Sequence, residues 1–329
     1  MARAKILITG GAGNIGGSLA RRLGTQREHD VIVIDNLQSG SSDKLPEPSP
    51  SFTFIRADVN NYDDVAPIFT SYRPNYVFHY AATVGVSRTL RNPMDVLRDI
   101  EGLRNVLTLS KGTGVKRVFY SSSSEVYGEP VELPQREDTT PLNSRLPYAV
   151  VKNLGEIYFR TYEREFGLPY TIFRFFNTYG PLQSEEFVIS KFVACAIRGD
   201  DLTIYGDGKQ TRTFCYVDDS IDFQLLCLEK NLFVNDTVNV GSEVEITMND
   251  LAELVRKLLN PMVNIVHVPP LAEGDMTRRR PDNSRMVEAL GHDLLPLSEG
   301  ILRTAEFATQ RLVRPSGDQN GNSRASCAA

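Results

Sequence analysis

Short apolar, β-prone runs alternate with longer stretches of helical periodicity over the first 240 residues. Runs at 6–9, 31–34, 52–55, 76–80, 118–121, 170–173 and 237–240 each hold four or five residues, the length of a strand buried on both faces. Between them, residues 14–23 (closed by Gly24), 63–71, 93–112 and 148–166 carry helical spacing. Strands alternating with helices predict βαβ units, and hence an α/β, doubly wound parallel sheet covered on both sides. Residues 1–180 are expected to form this domain, with 217–240 returning to it. The pattern loosens after Gly180, where 181–216 and 241–313 mix short helices with Pro- and Gly-rich loops. These two stretches are expected to build a smaller α/β substrate lobe. The polar, aperiodic tail 314–329 is expected to be disordered.

The break after the first strand carries candidate chemistry. Gly10, Gly13 and Gly16 stand at three-residue spacing between a strand and a helix. Such glycines let a pyrophosphate approach the positive helix N-terminus without Cβ obstruction. A glycine triplet alone is weak evidence, because turns are glycine-rich, but here an acid follows at the right distance. Asp35 ends the second strand, where it can accept hydrogen bonds from an adenosine ribose. Its charge would repel a 2′-phosphate and no Arg follows it, so NAD is favoured over NADP. Asn14, Ile15, Asn36, Ser39 and Gly40 flank these positions and join the candidate cofactor set. Asp58 and Val59 end the third strand and could reach the adenine; Ala81, Ala82 and Thr83 end the fourth and could line the cofactor.

A second constellation lies further on. Tyr148 and Lys152 are four residues apart near a helix start, hence on one face and about one turn apart. A nearby ammonium stabilises a phenolate, which would let a Tyr serve as a base. That spacing occurs often by chance, but the strand end Ser121–Ser124, followed by Glu125, supplies a hydroxyl to share a substrate oxygen.

Composition changes the picture only by exclusion. The 329 residues are 41% hydrophobic and 23% charged, with a net charge of −5, and no basic patch points to nucleic acid. Cys195, Cys215, Cys227 and Cys327 form no CxxC pair, so no metal site is expected and buried reduced thiols are the simpler reading. No apolar run is long enough for a signal peptide or a membrane span, and a cytoplasmic protein is expected.

Together, GGAGNIG (10–16), Asp35, SSSSEVYG (121–128), YAVVK (148–152) and RFFNTYGP (174–181) resemble the extended short-chain dehydrogenase/reductase family, over residues 5–309. That family includes nucleotide-sugar 4-epimerases, 4,6-dehydratases and decarboxylases. The resemblance implies a Rossmann-type domain, tightly held NAD and a C-terminal lobe gripping a nucleotide sugar. It implies Ser123, Tyr148 and Lys152 as the catalytic trio, Tyr148 taking the sugar 4-hydroxyl proton while hydride leaves C4. It further implies a homodimer in which helices 93–112 and 148–166 pair as a four-helix bundle. One departure stands out: Asp99 lies three residues before Gly102, where the family usually has Asn.

Which sugar chemistry follows depends on neighbouring groups. Ser124 and Glu125 after Ser123 resemble UDP-glucuronate decarboxylases, although GDP-mannose 4,6-dehydratases share a similar version. Ser124 replaces the Asp with which dTDP-glucose 4,6-dehydratases protonate a leaving hydroxyl. Arg145-Leu-Pro-Tyr148, TRTFCYVDD (211–219) and Arg279-Arg280-Pro281-Asp282 also resemble the decarboxylases. By that resemblance Arg279 lies near the sugar carboxylate, with Glu125 orienting it, and Arg212 and Asn177 contact the nucleotide diphosphate. Ser124, Arg145, Lys191 and Tyr205 complete the expected substrate set. Arginines in a late, charged loop are usually solvated or paired, which is the alternative reading for Arg279. The expected ligand is a nucleotide sugar, UDP favoured. The alternatives are a 4-epimerase, a 4,6-dehydratase and a non-catalytic NAD(H)-sensing protein.

Overall fold

A computed structural model describes residues 3–270 and 278–313 of the chain. Its centre is a seven-stranded sheet. From one edge, the strands are Asp236–Val240, Tyr170–Phe175, Arg117–Ser123, Tyr76–His79, Ala4–Thr9, His29–Asp35 and Phe52–Arg56. Every neighbouring pair is parallel, with Ile6 opposite both Val31 and Tyr76. The order reverses between Ala4–Thr9 and Tyr76–His79, and at such a switch point the connections leave in opposite directions and open a crevice at the strand ends.

The sheet is apolar on both faces because each strand feeds two cores. Ile6, Ile8, Val31 and Val33 point into one buried cluster, while Leu7, Ile32 and Ile34 point into the other. Helix Asn14–Gln26 covers the first face through Leu19, Ala20 and Leu23; Leu103, Val106, Leu107 and Phe159 cover the second. The strands expected from the apolar runs all form. The first helix, expected to stop at Gly24, runs on to Gln26 and is capped by Arg27 in the left-handed region (φ 55°). A helical glycine costs only about 1 kcal/mol relative to Ala, and the packing of buried Leu23 beside it offsets that.

Residues beyond Gly180 do not make an independent core. Ile189, Phe192, Val193, Leu251, Val255 and Ile301 continue the first-face cluster. Three small two-stranded ladders tie this part together: Thr178–Tyr179 with Cys215–Tyr216, Leu202–Tyr205 with Ile265–Val268, and Thr211–Thr213 with Glu245–Thr247. Helix Val217–Glu229 packs beside Asn14–Gln26, and the strand after it returns to the sheet edge. The tail 314–329 lies outside the described residues. Among the described residues no helix is long and apolar enough to cross a membrane.

Candidate active site

The strand ends open into one cavity of about 420 Å³ that runs from the glycine turn to Arg279. Gly10 has φ +69°, and a Cβ there would lie 2.6 Å from the backbone nitrogen of Ala81. The turn therefore packs directly on the end of the neighbouring strand. Helix Asn14–Gln26 begins at Gly13, which caps it without a side chain. The helix N-terminus thus faces the cavity with nothing bulkier than a glycine before it. Asp35 is fixed by two backbone amides: Ala12 N–H donates to Oδ2 (2.9 Å) and Leu37 N–H to Oδ1 (2.8 Å). Gly40 packs against it so closely that a Cβ would sit 2.8 Å from Asp35 Oδ1.

Asn14, Ile15, Asn36, Ser39, Asp58, Val59, Ala81, Ala82 and Thr83 also line this half of the cavity. The side-chain oxygen of Asn14 is buried and has no hydrogen-bond partner among the described residues. A helix N-terminus, a glycine cradle, an unpartnered buried acceptor and a fixed carboxylate fit a dinucleotide with a free ribose 2′-hydroxyl.

The other half is built where strand Arg117–Ser123 meets helix Pro147–Phe166. Pro147 at the first helical position suits a fixed φ and lacks only an amide the helix would leave unpaired. Tyr148 follows, with Lys152 one turn on. Lys152 is buried, and its Nζ donates to the Ser121 carbonyl (2.7 Å) and Oγ (3.3 Å), 5.7 Å from the centre of the Tyr148 ring. Loss of hydration lowers the Lys152 ammonium to about 8, opposed by the negative charge of Asp99. Tyr148 is pushed up by burial and then by the Glu125 charge, while a hydrogen bond with Ser123 pulls it back. The Ser123 hydroxyl also accepts the Glu125 amide (3.2 Å), which starts the tight turn Ser124–Tyr127. Behind Lys152, His79 is held near 3 by burial and by the lysine charge, and its Nδ1 shares a hydrogen bond with Thr9 Oγ1 (2.8 Å). The imidazole is therefore neutral, buried behind the site rather than lining it.

The far end of the cavity holds an ion pair. Arg279 Nη1 lies 3.5 Å from Glu125 Oε1, both side chains are largely buried, and Arg279 Nε has no partner among the described residues. Ser124, Asn177 and Arg212 line the same space. Asn177 adopts φ +40° and donates to the Thr213 carbonyl (2.9 Å). Three residues of the expected substrate set stand apart. Arg145 is exposed and does not line the cavity. Lys191 and Tyr205 meet each other instead, the ammonium 5.7 Å from the ring centre, also outside the lining.

In the sequence Asp99 stands out only as a departure from a pattern. Its carboxylate accepts the Thr83 amide at 2.7 Å, and loss of hydration raises it, against that hydrogen bond and the Lys152 charge. The Arg88–Glu186 pair (3.0 Å) across the cavity was not anticipated, because neither residue belongs to a motif. Among the described residues no group of three or more His, Cys, Asp or Glu is placed to hold a metal ion.

Fold and glycine cradle together define a dinucleotide-binding α/β protein. A family model described as the NAD dependent epimerase/dehydratase family matches residues 6–241. The chain belongs to this family, and its cofactor is NAD. It is 36% identical to UDP-glucuronic acid decarboxylase 6 of Arabidopsis thaliana over 321 residues, 94% of this chain and 90% of that one. It is 33% identical to UDP-N-acetyl-alpha-D-glucosaminuronate decarboxylase of Bacillus cytotoxicus, over 92% of this chain and 97% of that one. Among solved structures, it is similar to UDP-glucose 4-epimerase with UDP-glucose from Thermotoga maritima. The TM-score is 0.87 at 34% identity, covering 94% of this chain and 99% of that chain.

Proposed function

We propose that the protein is a cytoplasmic, homodimeric UDP-glucuronate decarboxylase. The observation that carries this reading is the buried Glu125–Arg279 pair in one cavity with Ser123, Tyr148 and Lys152. Desolvating an arginine is costly, and an Nε without a partner among the described residues suits a site that completes itself on an anion.

NAD, when bound, supplies a two-electron acceptor for the C4 hydride and its later return. Ser123 holds the sugar 4-hydroxyl against Tyr148, which takes the hydroxyl proton. The Lys152 ammonium lowers the cost of the phenolate, and the Ser121 carbonyl orients it. The resulting 4-ketone makes the C5 carboxylate a β-keto acid. Its C5–carboxyl bond breaks, CO₂ leaves, and the electron pair passes into an enolate. Arg279 binds the carboxylate and then faces the enolate, with Glu125 setting the guanidinium plane. The enolate takes a proton from solvent at C5, and Tyr148 would give its proton back to the sugar oxygen as the ketone is reduced again, which leaves UDP-xylose. Release before hydride return gives the 4-keto pentose.

The test is incubation with UDP-glucuronate and NAD followed by mass spectrometry. Loss of CO₂ supports the reading, and an unchanged mass overturns it. A 4-epimerase is the second reading, favoured by the likeness to the Thermotoga maritima enzyme; it predicts inversion at C4 without mass change. Ser124 in place of an acid weighs against dehydration. A non-catalytic NAD(H)-sensing role would need no Ser123, Tyr148 and Lys152 around one cavity. The dimer reading rests on exposed apolar side chains along the two long helices, Met94 and Leu97 on one, Val150 and Ile157 on the other.

A further inference from the structure

The two halves of the proposed chemistry sit on different elements. Tyr148 and Lys152 ride on helix Pro147–Phe166, Glu125 on the turn Ser124–Tyr127, and Arg279 on a segment without regular secondary structure before helix Ser284–Leu290. These pieces are joined by a buried polar chain with every link within hydrogen-bond range. One turn beyond Lys152, the fully buried Glu156 carboxylate accepts Arg174 Nε (2.8 Å) and Nη2 (2.7 Å). Arg174 Nη1 donates to the Tyr127 hydroxyl (2.8 Å), which donates to Asn239 Oδ1 (2.8 Å). Asn239 Nδ2 in turn donates to the carbonyls of Gln135 (2.9 Å) and Asp282 (3.2 Å).

The last link reaches the arginine. Gln135 N–H donates to the Arg280 carbonyl (2.7 Å), and Asp282 N–H donates to the Gln135 carbonyl (2.8 Å). Gln135 thus straddles Pro281 and fixes the backbone next to Arg279. Tyr127, Arg174 and Asn239 are each at most 1% exposed, so water does not replace a lost link. Tyr127 is the junction: its backbone continues the Glu125 turn, and its hydroxyl joins the Arg174 and Asn239 side chains, beside a second route through Glu137, whose carbonyl accepts Arg174 Nη1 (3.2 Å) and whose carboxylate accepts Asn239 N–H (2.7 Å).

From this geometry we propose that Tyr127 is a positioning residue, holding Arg279 and Glu125 in register with Tyr148 and Lys152. The proposal deepens the decarboxylase reading and rests on it. Tyr127→Phe keeps the ring, which packs against Phe176, and removes only the hydroxyl. A shift of about 1 Å at a reacting group can cost on the order of a hundredfold, and a partly buffered shift of Arg279 is expected to cost roughly tenfold.

The experiment is a double-mutant cycle on the full chain with NAD bound: unmodified protein, Y127F, R279Q and the pair. Calorimetry gives the affinity for UDP and for UDP-glucuronate, and CO₂ release gives kcat and KM. Y127F is expected to weaken UDP-glucuronate and lower its kcat/KM roughly tenfold, with UDP affinity unchanged. In the R279Q background the same change is expected to cost less than about twofold, because the residue it acts through is gone. A loss that persists in full beside R279Q, or no loss from Y127F alone, overturns the proposal. Asn239→Ala, which cuts the next link, must show the same dependence on Arg279 and serves if Y127F folds poorly. An unmodified protein that binds UDP yet releases no CO₂ overturns the decarboxylase reading itself, and the coupling to carboxylate chemistry with it.

Discussion

Glu156→Gln is the perturbation whose size follows most directly from the structure. Glu156 and Arg174 are 0% and 1% exposed in their side chains and 2.7 Å apart. Burial by itself pushes the Glu156 carboxyl up; hydrogen bonds and charge from Arg174, with a hydrogen bond from Ser122 (2.7 Å), more than reverse this and leave it below its ordinary range. Glutamine keeps the shape but turns one acceptor into an amide donor facing the Arg174 donors, and leaves a buried guanidinium without its anion. Breaking one side of a buried pair costs about 3–5 kcal/mol. At roughly 2–4 °C per kcal/mol for large domains, the melting temperature should fall by about 6–20 °C. The sign with pH is set by the lowered carboxyl. Its contribution is complete above the ordinary carboxylate range and is lost as pH falls through the folded value. The gap between the two proteins should therefore be widest above about pH 5 and narrow below it. Thermal unfolding followed by circular dichroism at pH 8 and pH 4 measures both. A deficit under about 1 kcal/mol, or one equally large at both pH values, refutes the reasoning.

Other substitutions separate the roles of the site. Tyr148→Phe should lower kcat at least about 10²-fold while NAD affinity by calorimetry stays the same; retained turnover would remove Tyr148 from the proton path. Lys152 loses its proton near pH 8, so the alkaline limb of the kcat/KM profile should fall through that region. Asp99→Asn deletes the anion that opposes the loss of hydration at Lys152, so this limb should move to lower pH; an alkaline shift or a fixed limb contradicts the assignment. Ile157→Glu places a charge amid the exposed apolar side chains of the two long helices, and sedimentation should show monomers where the unmodified chain gives dimers. An unmodified chain that already sediments as a monomer would sink the dimer reading.

Most of the sheet was legible because its strands are short, apolar on both faces and separated by helical periods. The alternation of Ile6 and Ile8 against Leu7 across two cores is the structural form of that pattern. The cofactor half was legible for a related reason: glycines at strand ends and an acid at the next strand end are local requirements, met within about thirty residues. Helix spacing likewise put Tyr148 and Lys152 on one face. Arg145 shows the limit of local reading, since its nearness to Tyr148 in sequence does not turn its exposed side chain toward the cavity. Lys191 and Tyr205 pair with each other outside the cavity lining, a contact that spacing in sequence does not reveal.

What stayed hidden is long-range and polar. Arg174 and Glu156 each read as an ordinary charge in an ordinary element, and only the fold brings strand Tyr170–Phe175 beside helix Pro147–Phe166. Gln135 meets Pro281 across 146 positions of sequence, and Asn239 meets Gln135 across 104. Such links carry no periodicity and no motif, because a buried polar group needs only one partner at the right place. Their absence from any local signal makes them informative once seen. A fold that buries an arginine, a glutamate, a tyrosine and an asparagine in one chain has accepted several desolvation costs, and hydrophobic residues of similar volume would often pack as stably. Stability alone therefore does not explain why these four lie between Lys152 and Arg279. Their directional bonds fix positions that apolar contacts leave adjustable, which is what the positioning role proposed for Tyr127 requires.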